Sequence, residues 1–364
     1  MDSPAVLQKL LRVAIGTDSM VPIEGKVDWK SVYQLALSQE VELVALDGYQ
    51  QLESLALIDE NAKLEQSMKL VWAGVVSNLE NNYQHYRKTV FWLADLFRRQ
   101  GVRMLILKGM ACGQYYPRPE HRGCGDLDIY LNGDYEKGNS ILEAQGVDVV
   151  KSYYRHSEAL WNGLRIENHR MLSSDRGPKC AGQFESELKS LAADAFNCSD
   201  DVVVRPSATF NALYLPWHVS FHFAFERVSI RYLLDWTLFL MHEAAEIDMQ
   251  RYEYAKKHYL YGFSRFADVL TALSVDQLAL PLSILPQSMV DSYMHTDKNL
   301  CRRVFGYMLM GKPLLQSQQK VRKWIVKAWR ACRDSWKYPN LYDVSVGSYL
   351  WYCMQGLIKS NKME

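Results

Sequence analysis

The sequence predicts an α+β protein in which a small mixed sheet is flanked by N- and C-terminal helical regions. Three observations predict it. Apolar residues recur at helical spacing through most of the first hundred residues. Short apolar and alternating runs, separated by turn signals, then occupy residues from about 90 to 205. Beyond Arg205-Pro206-Ser207 helical spacing returns and persists. The regions are drawn at 1–90, 91–205 and 206–364, and a chain of 364 residues suits two or three domains rather than one.

In chain order, Trp29–Leu52 carries apolar residues at helical spacing. Residues 62–100 form a long amphipathic run that Gly101 stops. Val102–Leu107 is a short apolar run, predicting a buried strand that ends in Lys108-Gly109, with a helix over Met110–Tyr116. Asp126–Leu131 alternates acid and apolar residues, predicting a second strand. Asn132-Gly133-Asp134 is a turn, Tyr135–Gln145 a helix closed by Gly146, and Val147–Tyr154 a third strand. Asn162-Gly163 between two apolar runs predicts a β-hairpin. Helical spacing marks 207–225, 227–245, 248–274, 286–310, 317–337 and 343–359, with breaks at Pro281, Pro286, Gly311 and Pro313.

Composition narrows the class of function. Hydrophobic residues at 48% and charged residues at 23% exclude a disordered or fibrous chain. With 42 Lys+Arg against 41 Asp+Glu, the net charge of +1 argues against a general nucleic-acid binder. The 10 Trp and 22 Tyr imply large packed helical faces or a stacking surface. Seven scattered cysteines without a CxxC pair read as reduced cytosolic thiols. The start lacks a secretory pattern, and no apolar run reaches the roughly 18 residues of a membrane span, so a cytoplasmic protein is expected.

Three features carry chemistry. Lys108-Gly109 lies at a strand-to-helix junction, where backbone amides and a lysine suit a phosphate; a solvated lysine at a strand end is the plain alternative. In Gly125-Asp126-Leu127-Asp128 the two acids, two apart on a strand, share one face while Leu127 and Ile129 face the core. Adjacent carboxylates repel unless a cation lies between them, and Mg²⁺ with phosphates is the usual answer. In Ile166-Glu167-Asn168-His169, Glu167 and His169 share a face. If that strand lies beside the Asp126 strand, Glu167 becomes a third carboxylate. Three carboxylates, two metals and a phosphate cradle describe in-line nucleotidyl transfer.

The order Leu107-Lys108-Gly109, Arg122…Gly125-Asp126-Leu127-Asp128-Ile129 and Ile166-Glu167-Asn168-His169 resembles the DNA polymerase β-like nucleotidyltransferase superfamily. More closely, it resembles an uncharacterised bacterial branch with Lys-Gly in place of Gly-Ser. The resemblance covers roughly residues 80–240, including His218, His222 and the run Arg231–Asp235. It implies a Mg²⁺-dependent transfer of an NMP from an NTP to a hydroxyl acceptor, with pyrophosphate released. It implies Asp126 and Asp128 as ligands of two Mg²⁺ ions and Glu167 as third ligand and base. Lys108 and Gly109 would hold the triphosphate. Beside what the resemblance implies, Arg122 and His169 are candidate nucleotide contacts from their own positions in the sequence. Lys-Gly lacks the serine–phosphate bond, Glu167 stands where Asp is commoner, and the gap before Asp126 is long; Arg118, His121 and Arg122 lie in that gap and can compensate. The acceptor is expected to be a small molecule or a protein rather than nucleic acid. The alternative is a catalytically inactive nucleotidyltransferase-like protein that binds nucleotide or serves a regulatory interaction.

Other residues keep two readings. Arg122 is a partner of Asp126 or Asp128, or a phosphate clamp. His169 orients the acceptor, touches phosphate, or hydrogen-bonds to the helical lobe. His218 and His222, one helical turn apart without a Glu at position 219, fit one cleft residue and one core residue better than a zinc site. Arg231 and Asp235 form an intrahelical pair or brace the lobes. The basic stretch 320–337 is a core-packed helix with a solvated outer face, or a surface for a membrane, RNA or an acidic partner.

Overall fold

The computed structural model describes residues 2–18, 20–151, 154–173, 180–259, 263–310, 326 and 329–351. Helix α1 (Ser3–Ala14) starts where Asp2 accepts from the Ala5 amide, and α2 (Trp29–Ser38) where Asp28 accepts from the Ser31 amide. Helix α3 (Glu42–Ser54) crosses α1 at Gly48, where a Cβ would lie 2.0 Å from the Leu10 carbonyl oxygen. Only glycine permits that approach. Helix α4 (Gln66–Arg99) runs 34 residues and stops at Gly101, whose φ of 65° is the left-handed geometry expected past a helix end.

The sheet follows, with β1 (Met104–Leu107), the short α5 (Gly109–Gly113), β2 (Asp126–Tyr130), α6 (Tyr135–Ala144), β3 (Val149–Val150), β4 (His156–Trp161) and β5 (Leu164–His169). Helix α7 (Cys180–Asn197) and β6 (Val203–Val204) lie in a stretch where the sequence suggested no element. The six strands are ordered β3-β4-β5-β2-β1-β6, with β2–β5 and β1–β6 parallel and the other pairs antiparallel. Of the strand expected over Val147–Tyr154, residues 152 and 153 lie outside the described residues, and among the described ones Val149 and Val150 meet partners on β4. The helix expected to reach Tyr116 stops at Gly113, and Pro119 opens a separate short turn.

The hairpin forms as Asn-Gly dictates. Asn162 and Gly163 both take positive φ, 47° and 81°, the geometry of a two-residue turn matched to strand twist. Trp161 at the hairpin tip stacks on Trp92 of α4 at 4.1 Å and 6°.

The strand alternation splits the core. Met104, Ile106, Leu127, Ile129, Leu164 and Ile166 pack toward α4 and α6 with Leu93, Phe97 and Leu142. Leu105, Leu107 and Tyr130 join a larger core with both helical regions. That core includes α8 (Ala208–Phe225), α9 (Ile230–Glu243) and α11 (Phe263–Leu278). Helices α10 (Met249–His258), α12 (Gln287–His295) and α13 (Lys298–Leu309) follow, so the runs expected at 248–274 and 286–310 each divide in two, while the helix expected over 343–359 lies outside the described residues from 352 on. Asp297 caps the start of α13.

Of the basic stretch 320–337, residues 320–325, 327 and 328 lie outside the described residues. Its end does not face solvent: Lys337 is fully buried, donates to the Phe223 carbonyl at 2.7 Å, and sits 3.9 Å from the Tyr307 ring centre. Burial pushes its ammonium down to about 7 against the opposing pull of Asp334. Between pH 7 and the unfolded value near 10.5, the unfolded chain therefore binds the extra proton, and stability rises with pH. Chemical denaturation of wild type and Lys337→Met across pH 6–9 tests this. Wild type should gain on the variant by about 1 kcal/mol per pH unit above pH 7; a constant difference would refute the shift.

Candidate active site

The backbone where β1 meets α5 is unusual. Lys108 has φ 35° and Gly109 φ 39°, so two consecutive residues leave the ordinary region, and for Lys108 this costs energy. The turn brings the Lys108 ammonium over the adjacent strand, 3.0 Å from Asp128 Oδ2 and 4.0 Å from Asp126 Oδ2. A Cβ on Gly109 would stand 3.6 Å from the Asp126 carbonyl oxygen.

Register then assembles the acids. Strands β2 and β5 pair in parallel with Asp128 opposite Glu167 and Tyr130 opposite His169. One carboxylate oxygen from each of Asp126, Asp128 and Glu167 falls within 4.8 Å of the others. The side chain of Asp128 is wholly buried and that of Asp126 is 38% exposed, so the cluster has a closed end and an open end. His169 Nε2 lies 2.9 Å from Asp128 Oδ1 and 3.6 Å from Glu167 Oε2.

The electrostatics follow from this packing. Burial opposes the charge on Asp128, but Lys108 and the contact with His169 overcome it and hold the carboxyl well below its usual range. Burial likewise opposes Glu167, and the His169 ring and the charge of His156 hold it low against Asp128. Burial and Asp128 together push Asp126 up. Burial disfavours the Lys108 ammonium, yet Asp128 and Asp126 raise its pKa. Burial disfavours a charged His169, and Asp128 and Glu167 raise it. Asp128 Oδ2 remains a buried oxygen without an aligned hydrogen bond, since Lys108 meets it as an ion pair only.

Arg122 reaches neither Asp126 nor Asp128. Its Nη2 and Nε bind the Asp235 carboxylate of α9 at 2.6 and 3.1 Å, both side chains being buried, and Tyr116 donates to the same carboxylate at 2.7 Å. Arg231 does not pair with Asp235 along the helix. It donates to the Gly123 carbonyl at 3.0 Å and lies 3.2 Å from Glu40, bracing α9 against the loop and the N-terminal helices. Arg118 and His121 turn to another groove, where they meet Asp47 of α3 and Glu80 of α4.

A cleft of about 370 Å³ opens between the sheet and α8–α9, lined among others by Lys108, Asp126, Arg165, His218, His222 and Arg231. His218 and His222 both line it, with ring centres 4.7 Å apart. Burial and Lys108 push His218 well below the ordinary histidine value. Among the described residues no third donor joins them. Sequence reasoning passed over His156, Glu158 and Tyr214. His156 and Glu158 stand opposite His169 and Glu167 across the hairpin, a pairing that Asn162-Gly163 fixes by counting outward from the turn. Tyr214 Oη, on α8, is buried without a hydrogen-bond partner.

The model of a family described as uncharacterised nucleotidyltransferase matches residues 25–274, more than half of the chain, and the chain belongs to that family. The match begins before α2 and ends within α11, so it takes in the helices around the sheet as well as the acids. Neither a curated protein nor a solved structure matches the chain.

The Arg122–Asp235 pair generates a stability prediction. Arg122→Ala leaves a buried carboxylate facing a void and should cost about 3–5 kcal/mol in urea denaturation. Replacing both partners (Arg122→Met with Asp235→Leu) should recover much of that loss. Equal midpoints for wild type and Arg122→Ala would show that the pair contributes nothing.

Proposed function

We propose that this member of the nucleotidyltransferase family is a Mg²⁺-dependent enzyme that moves an NMP from an NTP to an acceptor hydroxyl. The observation that carries the reading is the β2–β5 register, which brings Asp126, Asp128 and Glu167 within 4.8 Å beside the Lys108-Gly109 turn. The donor set fits hard divalent cations: all oxygen, clustered, and including the buried Asp128 Oδ2, which meets the Lys108 ammonium at 3.0 Å. Asp126 and Asp128 would hold two Mg²⁺ ions, with Glu167 completing the set. Bound there, the ions would polarise the phosphate being transferred and neutralise the charge of the departing pyrophosphate.

The chain's own residues supply the rest. Lys108 exchanges Asp128 for phosphate oxygens when nucleotide enters, and Gly109 lets the phosphates approach the backbone. His169 holds Asp128 in place from below. Glu167, kept ionised, takes the proton of the acceptor hydroxyl as its oxygen attacks the α-phosphorus; the bond from that phosphorus to the bridging oxygen breaks and pyrophosphate leaves. Arg122 serves as a brace for the cleft wall rather than as a phosphate clamp. The acceptor, a small molecule or a protein side chain, enters along the α8 side of the cleft.

The ion pair of Lys108 with Asp128 favours a second reading, in which the chain binds nucleotide without turning it over. Pyrophosphate release from each NTP with Mg²⁺, alongside labelling of the protein itself and of added acceptors by α-³²P-NTP, separates the two. Under the first reading Asp126→Asn and Asp128→Asn each lower release by about 100-fold or more while NTP binding persists. Wild-type binding without release selects the second reading, and release unchanged in both variants overturns the first.

A further inference from the structure

Glu167 also belongs to a second cluster. The antiparallel β4–β5 register sets His156 opposite His169 and Glu158 opposite Glu167. Residues two apart share a face, so these four side chains form a square on the face of the sheet that carries Asp128. His156 Nε2 lies 3.8 Å from Glu167 Oε2 and 3.5 Å from Glu158 Oε1, and His169 Nε2 lies 3.6 Å from Glu167 Oε2. One donor atom from each of His156, Glu167 and His169 falls within 4.8 Å of the other two. The group is separate in composition from the carboxylate trio, sharing only Glu167.

We propose that His156, Glu167 and His169 form a nitrogen-rich metal position that takes a zinc-class divalent ion. Three observations converge. First, Glu167 is flanked across both neighbouring strands by another acid, Asp128 on β2 and Glu158 on β4, and like charges directly opposite in a sheet destabilise it unless a cation intervenes. Second, the His169 ring is fixed at its far side, where Nδ1 lies 3.3 Å from the Met171 carbonyl. Its Nε2 points between Asp128 Oδ1, at 2.9 Å, and Glu167 Oε2, at 3.6 Å, so the ring is aimed at the carboxylate it would share a metal with. A backbone carbonyl that fixes the far nitrogen is the usual support of a metal-binding histidine. Third, the position is partly screened, with the His156, Glu167 and His169 side chains 21%, 13% and 4% exposed.

Two imidazoles and one carboxylate select a borderline ion such as Zn²⁺ over Mg²⁺, which prefers oxygen alone. The proposal stands on this geometry and not on turnover. If the transfer reading also holds, Glu167 lies between an oxygen-ligated position and a nitrogen-ligated one.

The test uses the full chain stripped with chelator and titrated with Co²⁺, whose visible absorption becomes intense in a four- or five-coordinate site. Metal analysis after loading with Zn²⁺ gives the stoichiometry. Wild type should bind a tight ion with that absorption, and Asp126→Asn should keep it. His156→Ala should lose the band and weaken binding by about tenfold or more. Because His169 is buried, His156→Ala carries the test, with its thermal unfolding checked against wild type. Cu²⁺ loading adds a second measurement, since electron paramagnetic resonance should show coupling to two imidazole nitrogens in wild type and one in the variant. Identical Co²⁺ spectra for wild type and His156→Ala, or loss of the band in Asp126→Asn, would overturn the proposal; a wild type that binds Co²⁺ as expected yet releases no pyrophosphate would refute the transfer reading alone.

Discussion

The arrangement depends on one electrostatic constraint: a parallel strand pair that sets Asp128 directly opposite Glu167 inside a sheet. Such a pairing is unstable alone, since the charges repel and burial deprives them of water. The fold answers from two directions. Lys108 reaches Asp128 from the end of β1, and His169 reaches the same carboxylate from β5. The left-handed backbone at Lys108 accompanies this placement of the ammonium over the neighbouring strand. What is costly at one residue is offset by what it neutralises.

The helices complete the arrangement by fixing the cleft wall. Arg122 leaves the loop between β1 and β2, passes beneath the cleft and grips Asp235, while Arg231 grips the loop in return. The links run in opposite directions between the same two elements and tie α9 to the loop at two points. The N-terminal helices join through Glu40, which accepts from Ser229 and faces Arg231. The match of the family to residues 25–274 is intelligible in these terms, because sheet, loop and helices on both sides share one network.

Much of this was legible in the sequence, for a physical reason. The alternation of Asp126–Leu131, the Asn162-Gly163 turn and the Gly101 stop are local signals, and local rules decide them. The pairing of Glu167 with Asp128 was stated only as a condition, since parallel neighbours are chosen by the crossover and not by the strand itself. The partner of Arg122 was not legible: Asp235 lies 113 positions away, and no spacing rule joins them. Strand β6 was missed because a two-residue strand offers no period to read. His156 was the avoidable omission, since counting outward from the turn finds it.

One feature at the far edge has an optical consequence. Trp92 and Trp161 lie nearly parallel at 4.1 Å, one on the long helix and one at the tip of the hairpin whose second strand carries Glu167. Two indoles so close exchange excitation, and their near-ultraviolet dichroism depends steeply on distance and angle. The molecule thus carries a built-in ruler between helix and hairpin, readable without a label and sensitive to any tilt of the strand beneath the acids.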